Sequence, residues 1–507
     1  MDQSIRFGCQ DATAVEQERL AAEMVDAAFQ AVRWQLVQAV VIFLGRPISA
    51  VAFFTLELAL VALLREFGRQ LLEGVVNSLE PSSPELLPRE LSFEGVVYRR
   101  RNEKTRKANV ATLFGGITLW RRGYRDCDGN EGSIFPLEMF LGLAVGVSPG
   151  LVDWLGRRLA EAGASQGRVL ELLRQECGVR MGVKRLRGCL EHLSSQLSEL
   201  RQDQQVAHLL ETLAIADKSR GNCRPVLAVG RDGITLRGYW NGCFSVATAA
   251  TVSVYDRAGK RLTTSYLAYA PEPGQATMDQ MLTSLLTDVL QQWEEPLPQL
   301  AYITDSGDHE TSYYEDVLSR MLHPRTDERL AWQRVADFYH VSERVWTMAA
   351  ALFPDDTRAA HGWAHRMLKA LKKPSGASRL LHSAASLFHR RDLTKARAKD
   401  FWKAYRYLQQ RTRFLRYHDY QARHIPLGSG VTEAACKTIF TQRLKLSGMS
   451  WTNTGANNIL TLRTILLSKT WKRTFGVYLH NLHPHNMRPY PQIATFSDKT
   501  RPETSAA

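Results

Sequence analysis

Residues 225–238 read PVLAVGRDGITLRG, an apolar run that reaches an acidic residue, Asp232, and opens a series of strand-like segments. Two runs with alternating apolar residues follow, FSVATAATVSVYD (244–256) and KRLTTSYLAYA (260–270), separated by a short turn. Alternation of apolar and polar residues is typical of strands, and a short turn joins antiparallel neighbours. The three runs therefore predict an antiparallel meander.

The pattern then changes to alternating helices and strands. TMDQMLTSLLTDVLQQWEE (277–295) has the spacing of an amphipathic helix, and QLAYITDSGDHE (299–310) contains a short apolar strand that ends at Asp305. SYYEDVLSRML (312–322) predicts a second helix, and RLAWQRVADFYHV (329–341) contains a fifth strand. The order β-β-β-α-β-α-β predicts an α/β fold with the mixed sheet of ribonuclease H-like domains.

The remaining segments differ in composition and suggest a division into regions. We predict an N-terminal helical region for oligomerisation or packing, a DNA-binding region, a catalytic core in two pieces, an all-helical basic insertion and a flexible tail. In order, these are residues 1–90, 91–205, 220–340 with 425–475, 341–424 and 476–507.

Two segments of the DNA-binding region are candidates for contact with DNA. Residues 96–125 read as a β-hairpin around Gly115-Gly116, with arginine-rich faces that would contact DNA or simply be solvated. Residues 164–193 have helix-turn-helix spacing, with Lys184, Arg185 and Arg187 on the second helix. An ordinary helical hairpin fits the second pattern equally well.

Positive charge is concentrated in one block. The net charge is +14, and residues 357–475 hold 24 Lys and Arg against 4 Asp and Glu, a local +20. Such a block predicts a nucleic-acid partner, with a solvated basic surface as the alternative. Within it, Lys437, Arg443 and Lys445 are candidate phosphate contacts, and Trp451 is a candidate for stacking on a base or for core packing.

The cysteines and the apolar segments bear on the compartment. Seven scattered cysteines without a CxxC pair argue against a zinc ribbon and a secreted disulfide framework. Residues 47–64 are apolar but include Glu57, which favours a packing or dimer helix over a membrane span. We expect a cytoplasmic, nucleoid-associated bacterial protein with no membrane partner.

Three carboxylates carry the chemical prediction. Asp232 and Asp305 each end an apolar run, and Glu433 is the one carboxylate in IPLGSGVTEAACKTIFTQRLKLSGMSW (425–451). Strand ends in an open α/β sheet form ligand crevices, and convergent carboxylates call for a neutralising cation. The three acids therefore predict a site for Mg²⁺, with Mn²⁺ as the alternative, suited to phosphoryl transfer by two metal ions.

Each of these assignments has a simpler alternative. Asp232 in Asp-Gly suits a hairpin turn, Asp305 suits an Asp-Ser-Gly-Asp turn with Asp308 as a rival ligand, and Glu433 suits a helix N-terminus. His340 is an accessory candidate that would orient a phosphate or a bound water, and a structural role is its alternative.

Several motifs together resemble the DDE transposases of bacterial insertion sequences, most closely the ISKra-type group. They are TLFGGITLWRRGYR, RDG at Asp232, ITDSGDH at Asp305, DFYH at 337–340, and PLGSGVTEAACK followed by RLKLSGMSW. The resemblance covers residues 90–475. It implies that Asp232, Asp305 and Glu433 form the metal-binding triad, and that an all-helical insertion precedes the helix with Glu433. It also implies that the N-terminal region recognises terminal inverted repeats.

The expected function is thus a DNA transposase that cleaves element ends and joins the 3′-hydroxyl ends to target DNA. Its partners would be double-stranded DNA, as terminal repeats and target, and further copies of the chain in a homodimer or larger oligomer. Arg231 directly precedes the first aspartate, where an apolar or acidic neighbour is expected. The alternatives are a metal-dependent nuclease without strand transfer and a catalytically inactive DNA-binding regulator.

Overall fold

The computed structural model describes residues 13–489 apart from residues 130, 239–242, 295 and 392. The chain divides into two compact units. The first comprises residues 1–155, 165–192 and 477–507, and the second comprises residues 156–164 and 193–476.

The helices are α1 (Ala14–Leu44), α2 (Ala50–Ser78), α3 (Pro136–Phe140), α4 (Pro149–Ala160), α5 (Gln166–Cys177), α6 (Val183–Asp217), α7 (Ala276–Gln292), α8 (Asp308–Asp316), α9 (Phe338–Leu352), α10 (Thr357–Leu371), α11 (Gly376–Phe388), α12 (Lys395–Gln410), α13 (Tyr417–Ala422), α14 (Gly430–Cys436), α15 (Gln442–Leu444), α16 (Asn453–Leu467) and α17 (Trp471–Asn481). The strands are β1 (Glu90–Phe93), β2 (Val96–Thr112), β3 (Gly115–Asp126), β4 (Val226–Arg237), β5 (Phe244–Tyr255), β6 (Arg261–Tyr269), β7 (Gln299–Thr304), β8 (Gln333–Ala336) and β9 (Arg488–Pro489).

The first unit contains an antiparallel sheet in the order β3-β2-β1-β9. The predicted hairpin at 96–125 is present as β2 and β3. Helix α2 is joined to β3 through Asn77, whose side chain donates to Thr118 O at 2.8 Å and accepts from Trp120 N at 2.7 Å. Two arginines of the hairpin are internal, because Arg122 lies 3.3 Å from the buried carboxylate of Glu80 and Arg121 pairs with Glu138 at 2.6 Å. These two arginines therefore belong to the core of the unit, not to a DNA-facing surface.

The C-terminal segment differs from the prediction of a flexible tail from residue 476. Helix α17 continues to Asn481, and Ser92 and Leu91 of β1 pair with Arg488 and Pro489. The pairing is non-local, so the polar, proline-containing composition of the segment did not reveal it. Residues 490–507 of the predicted tail lie outside the described part of the chain.

The second unit is built on a five-stranded mixed sheet in the order β6-β5-β4-β7-β8. Strands β4, β5 and β6 are antiparallel neighbours, whereas β7 and β8 run parallel to β4. The predicted element order β-β-β-α-β-α-β is thus present, in a mixed α/β fold.

Each face of this sheet is covered by a different set of helices. On one face, residues of α6, α7 and α8 pack against Leu227, Val229 and Tyr302. On the other face, α9–α13 pack against Val226, Ala228 and Ile303. The segment predicted to be an all-helical insertion, residues 341–424, corresponds to α9–α13 in its described part.

Helix α14 lies on the same face as α9–α13, above β4 and β5. Gly230 of β4 permits this close approach, because a β-carbon there would stand 3.2 Å from the β-carbon of Thr432. A buried hydrogen bond of 2.7 Å between the hydroxyls of Thr251 and Thr432 fixes the helix to β5. After Cys436 the chain makes a wide π-type turn over residues 437–441, which Gln442 N closes by donating to Lys437 O.

Candidate active site

Asp232 and Asp305 lie on neighbouring strands. Asp232 was predicted to end its strand, and this is wrong. Strand β4 continues to Arg237 in antiparallel pairing with β5. Strand β7, however, ends at Thr304, and its parallel register places Val229 opposite Tyr302. Three residues further along that register, Asp232 stands beside Asp305, where β7 stops and the sheet edge opens. The prediction that these two acids converge is consistent with this register.

Arg231 does not pair with Asp232. Successive side chains of a strand point to opposite faces, and Arg231 faces α7, where it contacts Asp279 and donates to Gln275 Oε1 at 2.7 Å. The ion pair of Arg231 with Asp279 therefore lies on the face of the sheet that carries α7, and the side chain of Asp232 lies on the opposite face, which carries α14.

The surroundings of Asp232 disfavour its charge. Burial raises the pKa of Asp232, and the carboxylates of Asp305 and Glu433 raise it further, while hydrogen bonds from Gly233 N and the Cys436 thiol act in the opposite direction. A buried carboxyl group facing like charges gains most from a nearby cation. A cation nearby would therefore favour the charged form of Asp232.

Glu310 is the additional acid beside Asp305. It is buried, and burial raises its pKa together with the negative charges of Asp305 and Asp232. Its carboxylate folds back over Gly307, where a β-carbon would clash with Glu310 Oε2. Asp308, the predicted rival of Asp305, is exposed in the first turn of α8. Glu310, two residues later on α8, is the acid whose side chain turns back toward Asp305.

Glu433 lies in the first turn of α14, as predicted, with its side chain 48% exposed. The hydroxyl of Ser429, just before the helix, lies 3.2 Å from Glu433 Oε1. One turn later, burial and the proximity of Asp232 raise the pKa of the Cys436 thiol, which remains protonated and donates to that carboxylate. Thus α14 contributes one carboxylate and one hydrogen-bond donor to the same face of the sheet.

Asp337 is a member of the site that was not among the predicted ligands. It follows β8, is fully buried, and accepts hydrogen bonds from Tyr339 N at 2.6 Å and Ser429 N at 2.8 Å, as well as from the Ser429 hydroxyl. Burial by itself would raise the pKa of Asp337, but the contacts with His340 and Ser429 outweigh it and lower the pKa. Asp337 is therefore held as a carboxylate.

His340 lies between two carboxylates. Its Nδ1 is 3.6 Å from Asp337 Oδ2 and 3.8 Å from Glu433 Oε1. The contact with Asp337 raises the pKa of His340 to about 9 against the opposing effect of burial. Ligand atoms of Asp337, His340 and Glu433 all lie within 4.8 Å of one another. His340, predicted as an accessory residue, is thus a protonated bridge between the end of β8 and α14.

Of the basic residues predicted to contact DNA on the segment after α14, one is buried and two are exposed. Arg443 is fully buried, and its Nε donates to Leu159 O at 2.8 Å. Burial lowers its pKa to about 10, with a further contribution from Arg463. The prediction that Arg443 contacts phosphate is therefore wrong, because its guanidinium is used inside the second unit. Lys437 and Lys445 are exposed and stay predictions.

Trp451 is half-buried. Its Nε1 donates to Leu444 O at 2.9 Å, and the guanidinium of Arg443 lies 5.4 Å from the centre of its ring. Trp451 also lines an open cavity of about 710 Å³ bordered by Arg237 and His309. The core-packing alternative therefore accounts for the indole nitrogen, while base stacking stays a prediction.

The basic residues predicted to contact DNA from the second helix of the helix-turn-helix-like segment also differ in their surroundings. The predicted break is present, since α5 ends at Gly178 in a left-handed conformation and α6 begins at Val183. Arg185 donates to Gly146 O at 2.7 Å and reaches Asn109 O at 3.3 Å, so it supports a loop rather than reading DNA. Lys184 and Arg187 are exposed.

Neither a scan against protein-family models nor a search of curated proteins finds a match to this chain. The function is therefore argued from the site. Among the described residues, the ligand atoms of Asp337, His340 and Glu433 lie within 4.8 Å of one another. Asp232, Asp305 and Glu310 offer further carboxylate oxygens nearby: the charges of Asp305 and Glu433 raise the pKa of Asp232, and those of Asp305 and Asp232 raise the pKa of Glu310. Hard divalent cations prefer such oxygen ligands. The donor set fits Mg²⁺ or Mn²⁺ and suits chemistry on a phosphate ester.

Proposed function

We propose that this chain is a DNA transposase of the DDE type, in which Asp232, Asp305 and Glu433 are the catalytic carboxylates. The observation that carries the proposal is the environment of Asp232 on the face of α14, where burial and the nearby charges of Asp305 and Glu433 raise its pKa. A site built only for stability would gain little from burying like charges side by side. A site that binds divalent cations needs them there.

The arrangement of the second unit supports a ribonuclease H-like core. Three antiparallel strands are followed by two strands parallel to the first, with helices on both faces. The helical region α9–α13 stands between β8 and α14 in the sequence, where the resemblance to DDE transposases places an insertion. Fold-level likeness alone does not define chemistry, so the proposal depends on the carboxylates.

The residues present suit Mg²⁺ or Mn²⁺, held by Asp232, Asp305 and Glu433 with Glu310 beside them. When bound, such ions supply Lewis acidity at phosphorus and lower the pKa of water or of a 3′-hydroxyl. The chain itself positions the ligands. The contact of Thr432 with Gly230 sets the distance between α14 and the sheet. Ser429 contacts both acids, because its backbone N donates to Asp337 and its hydroxyl lies 3.2 Å from Glu433. His340 carries a positive charge beside these ligands and would attract a non-bridging phosphate oxygen.

The charge distribution supports DNA as the substrate. The block of 24 basic and 4 acidic residues at 357–475 contains α14, so Glu433 lies within a strongly basic stretch of the sequence, whereas Asp232 and Asp305 precede it. Exposed Lys437 and Lys445 follow Glu433 closely. A basic surface around a carboxylate site holds a polyanion against bound cations and makes affinity depend on salt.

The test is Glu433→Gln, assayed for Mg²⁺-dependent cleavage and joining on a plasmid carrying the DNA that flanks the gene. Removing one ligand charge should reduce both steps by on the order of 10³-fold or more while DNA binding is retained. Glu343→Gln is the matched control, since Glu343 is an exposed acid on α9. Unchanged cleavage by Glu433→Gln would refute the site.

The two remaining readings give different results in the same assay. Cleavage by the wild-type protein without any joined product would indicate a nuclease. Tight binding to the flanking repeats, without cleavage in either Mg²⁺ or Mn²⁺, would indicate an inactive DNA-binding regulator.

A further inference from the structure

Three histidines lie within six residues at the end of α17 and in the loop that follows it. His480 is in the last turn of the helix, and His483 and His485 flank Pro484 in the sequence HNLHPH (480–485). All three side chains are exposed, and all three residues belong to the first unit. The carboxylates of the candidate active site belong to the second unit, so the histidines form a separate cluster.

The backbone of the loop brings the imidazole rings together. His485 N donates to His483 O at 2.8 Å across Pro484, which is a very tight turn. The ring centroids of His483 and His485 are 4.8 Å apart, and those of His480 and His485 are 5.7 Å apart. The ring of His485 is therefore close to both of the other rings.

The loop that carries the histidines is held on both sides of the cluster. Before Pro484, the ring of His483 packs edge-on against Phe140 of α3, with ring centroids 5.0 Å apart. After the cluster, Met487 is buried and strand β9 pairs with β1. A loop that is already fixed loses little conformational entropy when its side chains bind a ligand.

The spacing of the rings suits a transition metal. Zinc binds imidazole nitrogen at about 2.0–2.1 Å in tetrahedral geometry, which places the centroids of two ligating rings roughly 5 Å apart. The two measured separations, 4.8 and 5.7 Å, lie on either side of that value. The ligand nitrogens of the three rings are not all within 4.8 Å of one another, unlike the ligand atoms around His340. Binding must therefore turn at least one ring, and exposed side chains change rotamer within nanoseconds.

The imidazole nitrogens are available to a metal. Within the described part of the chain, the rings of His480, His483 and His485 take part in no hydrogen bond or ion pair. Neutral imidazole is a ligand for zinc, copper and nickel, whereas Mg²⁺ prefers oxygen. A cluster of three imidazoles thus selects a different cation from the one that suits the carboxylates of the second unit.

We propose that His480, His483 and His485 form a zinc site in the first unit. The ion would link the end of α17 to the loop that leads into β9, and so would stabilise the edge of the sheet where β9 pairs with β1. Three protein ligands leave the fourth position of a tetrahedral site to water. The proposal does not rest on the proposed function, because it involves neither DNA nor Mg²⁺.

The test titrates Zn²⁺ into the untagged full-length protein by calorimetry, with Mg²⁺ in excess so that the carboxylates are offered their own cation. The wild-type protein should bind one equivalent of zinc more than the triple variant His480→Gln, His483→Gln, His485→Gln. The three side chains are exposed, so the variant keeps its fold, and circular dichroism checks this. Each single substitution should weaken binding by at least about 10-fold, since even an outer partner of a zinc ligand contributes that much.

The matched control removes two other exposed histidines. His361 and His365 are spaced by four residues on α10, and their rings are 6.4 Å apart. The double variant His361→Gln, His365→Gln should keep the zinc equivalent. As a second measurement, zinc at about 100 times its Kd should raise the melting temperature of the wild type and of this control, but not that of the triple variant.

Three results would overturn the proposal. One is equal zinc stoichiometry in the wild type and the triple variant. Another is loss of the zinc equivalent in the control, which would assign the ion to α10. The third is zinc binding that excess Mg²⁺ abolishes, which would assign the ion to the carboxylates of the second unit.

Discussion

Gly230→Ala should disturb the candidate active site without replacing any carboxylate. The new β-carbon would stand 3.2 Å from the β-carbon of Thr432 and 3.1 Å from Thr251 Oγ1, and closer still to the Thr432 hydroxyl. Carbon atoms in contact prefer about 3.5–4.0 Å, so α14 must move away from the sheet by on the order of 1 Å. Glu433 and Cys436 move with it, while Asp232 stays on β4.

Two measurements follow the displacement. Overpacking of this size typically costs about 1–3 kcal/mol in the free energy of unfolding, which denaturant unfolding measures. A shift of about 1 Å at a preorganised site reduces activity by on the order of 100-fold, and Mn²⁺ affinity, measured by calorimetry, should also fall.

The matched control is Gly476→Ala, in α17, where a β-carbon meets nothing within 4 Å. Thr432→Ala in the Gly230→Ala background removes the clashing hydroxyl but leaves the two β-carbons 3.2 Å apart, so recovery should be partial. If Gly230→Ala binds Mn²⁺ as tightly as the wild type, Gly230 does not set the position of α14 and the reasoning fails.

Four other substitutions test separate parts of the structure. In the metal-free protein, His340 has a pKa raised to about 9 by Asp337, so its stabilising effect is complete below the ordinary value of 6.5 and is lost as pH rises through about 9; His340→Gln should lower the melting temperature at about pH 6 but not at about pH 10. Arg443→Lys should lower the free energy of unfolding by about 2 kcal/mol without changing the salt dependence of DNA affinity, whereas Lys437→Ala should reduce that salt slope by about 1 at unchanged stability. Arg185→Ala should destabilise the protein by about 1–2 kcal/mol in denaturant unfolding, because loop carbonyls lose their donor; an intact stability with weakened DNA binding would return Arg185 to the DNA surface.

The order of helices and strands along the chain of the second unit could be predicted because each element carries its own local pattern. The alternation at 244–270 and the apolar run before Asp305 are visible without tertiary information. Glu433 could be placed in a first helical turn for the same reason, since Gly428-Ser429-Gly430 marks the preceding break.

The length of β4 could not be read locally. It extends past Asp232 because β5 continues to pair with it as far as Arg237 opposite Phe244, while β7 has already ended. Asp337, by contrast, was within reach. It follows the short apolar strand β8 just as Asp305 follows β7, and the same strand-end rule would have included it.

Whether a basic residue is engaged inside the protein or exposed depends on backbone carbonyl groups that are far away in the sequence. Arg443 is buried because Leu159 O, far away in sequence, accepts its hydrogen bond, and Arg185 is engaged because Gly146 O does the same. A cation that satisfies a carbonyl and one that awaits a phosphate have the same sequence signature. The charge count therefore identified a basic region, but it could not distinguish the basic residues that bind backbone carbonyls from those that are exposed.

The π-type turn at 437–441 divides the segment after Glu433 into two parts with separate orientations. A residue inserted into a regular helix rotates everything beyond it by about 100°. The extra residue here therefore lets Glu433 and Cys436 face the sheet while Arg443 faces the carbonyl of Leu159. Deletion of one residue from this turn would restore the regular pitch and force the two ends to compete. Either the side of the helix that carries Glu433 and Cys436 or its buried anchor, Arg443, would lose its partner, so the length of this turn constrains the candidate site as much as any of its acids.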